Sequence, residues 1–397
     1  MSTSPTRQEL KADSASAGNR GSLRELSLLY LRLGTTAFGG PAAHIAIMED
    51  EVVRRRHWLT REEFLDLLGV VNLIPGPNST EMAIQIGYRV AGRPGLIMGG
   101  LCFILPAALL TLAFAWAYVR YGAMPQAASV LYGIKAVMIA IVLQAIFKLS
   151  QTAVKNAVLA IIGGMAVLAN AFGVNVLLVL FGAGIAAIAA RRLTVSPKTY
   201  SLAIAPFFLP QNIAALLETG VPFGLAPLFF FFLKVGAVLF GSGYVLLAFL
   251  RTDLVVRLHW LTDKQLLDAI AVGQITPGPV FTTATFIGYL LGHMPGALVA
   301  TIGIFLPSFI FIAIIGPLVS GLRKSAIFGA FLDGVNVGAL ALMAVVTWQL
   351  GRAALVDVTT VGLALVSAIA LIRFRINSTW LILSGGIVGY LAQRIAN

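Results

Sequence analysis

The sequence predicts an all-α polytopic membrane protein built from two homologous repeats, each opening with discontinuous or re-entrant helices and continuing with spanning ones. Three observations carry that prediction. Of 397 residues, 58% are hydrophobic and only 11% charged, with a mean hydropathy of +0.91, whereas soluble domains carry about 25% charged residues. The second half repeats motifs of the first in the same order. Helix-breaking clusters also interrupt apolar stretches at matching places in the two halves.

The elements follow from length. Residues 1–23 are polar and contain no apolar signal-peptide core, so they read as a flexible cytoplasmic tail. A spanning helix needs about 20 apolar residues. The first repeat, 24–190, offers candidates near 24–47, 64–90, 95–119, 128–149, 153–171 and 172–190. A linker, 191–224, contains Pro197, Pro206, Pro210 and Pro222 and has room for a helix along the interface. The second repeat, 225–397, offers candidates near 225–249, 266–291, 297–320, 326–349, 353–372 and 378–396.

The duplication has a fixed offset. Phe38 and Phe240 are 240 − 38 = 202 apart, and the same offset aligns LRLGTTAFGG with LKVGAVLFGS and the two HWLT stretches. It aligns Asp66 with Asp268, and Pro75-Gly76-Pro77 with Pro277-Gly278-Pro279. After a one-residue gap the offset is 201, pairing Pro106 with Pro307. Such a plan is usual in secondary transporters, whose site lies at the repeat interface.

Each repeat begins with interrupted helices. Thr60 and Thr262 open T-x-x-E/Q capping boxes, so a helix starts at each. From Arg61 to Ile74 is 14 residues, about 21 Å at 1.5 Å per residue, too short for a core of about 30 Å. Pro75-Gly76-Pro77 then breaks the helix, and Phe38-Gly39-Gly40-Pro41 makes a similar break between 24–37 and 42–56. Broken helices are tolerated at membrane depth where they line a polar cavity. A helix start there presents unpaired N–H groups and a positive dipole end to an anion. Asn78, Ser79 and Thr80 follow the first break as side-chain donors; Thr282, Thr283 and Thr285 follow the second.

Charged residues extend the site. Arg32 and Lys234 align, each six residues ahead of its break, and an intramembrane cation is a functional-site candidate. Lys135 is a third candidate, with Asn336 as its counterpart. Glu81 is expected to pair with Arg89, with a coupling or gating role as the alternative; His44, after FGGPAA, is a weaker candidate near the site. Asp66 and Asp268 are expected to face a vestibule or a basic neighbour, and the mixed-charge stretch MEDEVVRRRHW to form a solvated, salt-bridged surface. The net charge of +12 fits positive-inside topology and anionic headgroups and implies no nucleic acid. No metal constellation, nucleophile triad, phosphate-binding loop or dinucleotide fingerprint is present in the sequence, so an enzyme or an ATP-driven pump finds no support and no cofactor is expected.

With FGGPAAHIAIMEDEVV, HWLTREEFLDLLGVVNLIPGPNSTEMAIQIGY and their echoes FGSGYVLLAFL and HWLTDKQLLDAIAVGQITPGPVFTTATFIGY, the chain resembles the chromate ion transporter family in its long, two-domain form. The resemblance covers roughly 24–396. It implies inverted halves and export of chromate, with sulfate as its analogue, across the bacterial inner membrane, driven by the membrane potential and conferring chromate resistance; a carrier of sulfate or another oxyanion and a passive anion channel are the alternatives. Carried over residue by residue, it highlights Arg32, Gly39, Gly40, Pro75, Gly76, Pro77 and Asn78, then Lys234, Gly241, Pro277, Gly278 and Pro279. Gly241-Ser242-Gly243 replaces Gly39-Gly40-Pro41, so the two sites need not be equivalent. The expected partners are the oxyanion, membrane lipids and a second copy of the chain in a homodimer.

Overall fold

A computed structural model describes residues 21–38, 40–122, 124–194, 222–239, 245–315, 326–374 and 376–396. Among them are fourteen α-helices and no strand. Most of the polar tail, the linker from 195 to 221, and the site candidates Gly39 and Gly241 lie outside the described residues. Residues 191–194, expected in the linker, continue the preceding helix instead.

The first repeat opens with two helical hairpins. Helix α1 (Leu23–Thr36) starts at a Ser22–Glu25 capping box and packs antiparallel to α2 (Gly40–Glu49), which continues into a π-helical turn (Asp50–Arg55). The direction follows from contacts: His44 meets the Ala37 carbonyl at the tip, Arg32 reaches Glu51 midway, and Gly21 abuts Trp58 at the base. The hairpin therefore returns to the face it entered from. Helix α3 (Arg61–Val71) begins at the expected Thr60–Glu63 box, and α4 (Asn78–Tyr121) follows the proline–glycine–proline turn. Asn78 donates to Asn72 at that tip and Arg89 to Glu63 at the base, so α3 and the first arm of α4 form a second re-entrant pair.

Helix α4 then reverses at Ala91–Gly92, whose dihedrals are not helical. Gly87 lies against Gly95 and Ala83 against Gly99, so the arms run antiparallel and touch through backbone. The second arm, 93–121, crosses the membrane. It presents Ile97, Leu101, Leu105 and Leu109 outward at four-residue intervals, a lipid-facing stripe. Helix α5 (Pro125–Ala153) crosses back, and α6 (Ala157–Ala171) and α7 (Val176–Thr194) form a hairpin.

The second repeat has the same plan. It comprises α8 (Leu225–Val238), α9 (Leu246–Leu250), a π-helical turn (Arg251–Arg257) and α10 (Asp263–Ile275) from a Thr262–Gln265 box. A 3-10 turn (Val280–Thr282) leads into α11 (Thr283–Ile315), which reverses at Gly292–His293. Helices α12 (Ala326–Ala354), α13 (Val358–Arg373) and α14 (Ser378–Ala396) complete it. Both π-helical turns and both reversals obey the duplication offset.

The repeats meet tip to tip. The Gly76 N–H donates to the Leu239 carbonyl (2.7 Å) and the Gly278 N–H to the Ala37 carbonyl (2.9 Å). Since 37 + 202 = 239 and 76 + 202 = 278, this is the reciprocal exchange a two-fold axis produces. Positive φ at Gly76 (140°) and Gly278 (84°) explains why each turn carries glycine. Ala107 on α4 lies at tip level, against Gly278. Three turns further along, towards the second face, Tyr118 bonds Asp268, in the base half of the α10 hairpin. The second repeat's hairpins are thus rooted on the face opposite the first's, and the repeats are inverted.

Candidate functional site

A cavity of about 1120 Å³ runs from the tips of the first repeat's hairpins to the first face. Phe38, Pro41, Asn72 and Asn78 line its deep end, with Val245 from the second repeat. Gln144 and Lys148 of α5 and Asn336 of α12 form its walls; Lys155, Asp333, Asn377 and Ser378 surround the mouth. Lys155 pairs with Asp333 at 2.6 Å. The volume exceeds that of a small anion, so this is a vestibule leading to a site rather than a fitted pocket.

On the far side of the tips, the described residues pack around a buried ion pair. Asp268, fully buried, pairs with Lys135 (2.9 Å) and accepts from Tyr118 (2.9 Å). Lys135 is therefore neutralised by a carboxylate of the opposite repeat, the basic neighbour expected of Asp268. Its counterpart Asn336 stands on the open vestibule wall. One structural position thus holds an ion pair in one repeat and faces open space in the other, as two conformations of an inverted pair require.

The other predicted residues separate into groups. Asn78 lines the vestibule and Pro75, Gly76 and Pro77 form the turn beside it. Gly40, with φ of 77°, opens α2 at the neighbouring tip. Ser79 and Thr80 are buried behind Asn78. Pro277, Gly278 and Pro279 form the mirrored turn, where Thr282 and Thr283 donate to the Pro279 and Val280 carbonyls and Thr282 accepts from Thr111. The glycine amides of both turns are committed to the opposite repeat's carbonyls, and of the two helix starts beyond them, the one at Asn78 lines the vestibule. His44 is buried, its Nε2 engaged with the Ala37 carbonyl.

Two sequence expectations need correction. Glu81 does not pair with Arg89, which reaches Glu63 at 3.0 Å; Glu81 is buried at the tip and accepts from Ser308 of α11 at 3.3 Å. The stretch MEDEVVRRRHW is salt-bridged as expected but not uniformly solvated: Glu51, 4% exposed, accepts from Arg32, Arg55 and Arg56. The π-helical turn aims Glu51 at α1, and in the second repeat Asp253 takes the same position against Lys234 (2.5 Å) and Arg257 (3.5 Å). The 202 offset that paired Arg32 with Lys234 pairs Glu51 with Asp253 as well, and would have revealed these carboxylates. Gln144 and Ser308 left no comparable signal.

Comparison with known proteins gives consistent matches. The family model described as "Chromate transporter" matches residues 24–188 and again 226–390. The chain is 34% identical to a chromate transport protein of Cupriavidus metallidurans over 93% of both chains. It is 31% identical to one of Pseudomonas aeruginosa over 92% of each. It is also 26% identical to an uncharacterized transporter of Methanocaldococcus jannaschii, covering 98% of this chain and all of that one. No solved structure matches.

Proposed function

Given that this chain belongs to the chromate transporter family, we propose that it is a secondary carrier that exports chromate, a tetrahedral dianion resembling sulfate, across the bacterial inner membrane and thereby confers chromate resistance. The observation carrying this reading is the vestibule: it opens on the first face and ends at the Asn78 helix start, where inverted repeats meet.

The direction is supported by charge. Among the described residues the vestibule's face carries Arg24, Arg54, Arg55, Arg56, Arg61, Arg89, Arg93, Lys148, Lys155, Arg191 and Arg373, whereas the opposite face carries Arg120, Arg251, Arg257, Lys264, Arg352 and Arg394. By the positive-inside rule the mouth is cytoplasmic, so cargo loads from the cytoplasm. A dianion leaving a cell that is negative inside gains about 2.3 kcal/mol per charge per 100 mV, about 4.6 in all. Membrane potential thus suffices as a drive. Lys148 at the wall attracts the anion; Asn72, Asn78, Gln144 and Asn336 supply donors, and Arg32 and Lys234 set the potential behind the tips. Rocking one repeat against the other would close the vestibule and open the Lys135–Asp268–Tyr118 side.

Chromate uptake into everted vesicles tests this. Uptake should saturate, be inhibited by sulfate, and increase when the vesicle interior is made positive. Absent or potential-independent uptake would sink the reading; non-saturating flux would indicate a passive anion channel.

A further inference from the structure

The first repeat buries a set of polar side chains that the anion path does not use. Tyr30 Oη, His44 Nδ1, Thr80 Oγ1, Glu81 Oε2 and Gln85 Oε1 have no hydrogen-bond partner among the described residues, and each residue is at most 3% exposed. Unsatisfied buried groups cost free energy and ask for an explanation. The duplication supplies an internal control. At the repeat offsets Tyr30, His44 and Gln85 correspond to Phe232, Leu246 and Phe286, all buried, and Glu81 to Thr282. The same fold is built in the second repeat without these polar groups, so packing does not demand them.

Glu81 is the acidic member of the set, and its position is that of a joint. It lies one helical turn beyond Asn78 on the vestibule wall, and a Cβ on Gly76 would collide with its Oε1, so glycine there makes room for the carboxyl group. Among the described residues, its carboxyl group accepts one hydrogen bond, from Ser308 of the opposite repeat. Around α4, Arg32 pairs with Glu51, Arg89 of α4 itself with Glu63, and Asp268 with Lys135 and Tyr118. Tyr30 on α1 and His44 on α2 are the buried titratable neighbours that share the unpartnered set, while Asp66 on α3 is exposed.

We propose that Glu81 is a proton-binding site, and that the carrier takes up one proton there with each dianion bound at Asn78. This rests on the oxyanion-carrier reading. An ionised carboxylate one turn from a bound dianion repels it, and protonation removes the repulsion, so each binding event favours the other by linkage. The proton comes from vestibule water, resides on Glu81 and is released on the far face with the anion. The net charge moved per cycle is −2 + 1 = −1, so export still runs with the potential. Because the protonated form binds better, affinity is highest at low pH and falls about tenfold per pH unit where Glu81 titrates.

The test is sulfate binding to the purified full chain by calorimetry, with proton uptake read in buffers of different ionisation enthalpy. Sulfate stays dianionic across neutral pH, so its own titration does not interfere. Wild type should take up close to one proton per sulfate. Glu81→Gln, and Glu81→Thr, which installs the residue of the second repeat, should bind sulfate without proton uptake and without the pH slope. Sulfate binding in wild type without proton uptake, or unchanged uptake in folded variants, overturns the proposal alone. Failure of both sulfate and chromate to bind overturns the carrier reading and the coupling with it.

Discussion

Arg32 and Lys234 show how a residue's role depends on what faces it. Each is a cation within a membrane helix, and each is held by a carboxylate nineteen residues on, in a π-helical turn. Breaking a buried pair by removing one partner usually costs several kcal/mol, but here the acids keep other cations. Without Arg32, Glu51 retains Arg55 and Arg56; without Lys234, Asp253 retains Arg257. Arg32→Met and Lys234→Met are therefore expected to fold, and to lower chromate flux at least about tenfold, roughly 1.4 kcal/mol of lost stabilisation. Flux per unit of vesicle protein checks this; normal flux would remove both from the site. The cations were legible in the sequence because the repeat doubled them inside apolar runs. Their acids were obscured by a stretch whose arginines look like ordinary surface.

At the scale of the element, interruptions were easier to read than directions. The Thr60 and Thr262 capping boxes and the proline–glycine–proline breaks follow from local chemistry, and both form as expected. That the broken helices fold back is set by tertiary contacts such as Arg32–Glu51 and Arg89–Glu63, which no local pattern specifies. The reversals at Ala91–Gly92 and Gly292–His293 depend on glycine pairs that let helix arms touch through backbone: Gly87 with Gly95, Gly288 with Gly296. Gly87→Val would place a side chain against the Gly95 carbonyl, an overpacking worth about 1–3 kcal/mol or more. The detergent-solubilised variant should melt several degrees lower, at about 2–4 °C per kcal/mol. Gly164→Ala on α6, whose added Cβ meets nothing, should remain near wild type.

For the whole molecule, the duplication was visible in the sequence and the inversion was not. The HWLT loops of both repeats carry both signs of charge, so loop composition alone gives no orientation. Once the tips exchange the Gly76–Leu239 and Gly278–Ala37 hydrogen bonds, and Tyr118 reaches Asp268, the basic residues can be assigned to faces. The same geometry makes the two halves unequal: the first repeat's turn borders the open vestibule, and the second repeat's charged partner of Lys135 seals the other side. The motifs signalled inequivalence, with Gly241-Ser242-Gly243 in place of Gly39-Gly40-Pro41 and Asn336 opposite Lys135, but not which half borders the vestibule.

Alternating access from the basic face is the central claim, and labelling at Asn336 tests it most directly. In a Cys102→Ser background, which removes the single cysteine, Asn336→Cys is exposed to a membrane-impermeant thiol reagent in everted and in right-side-out vesicles. It should react from the cytoplasmic face alone, and saturating chromate should slow the reaction. Equal labelling from both faces, or labelling only from outside, would contradict a vestibule that opens inward.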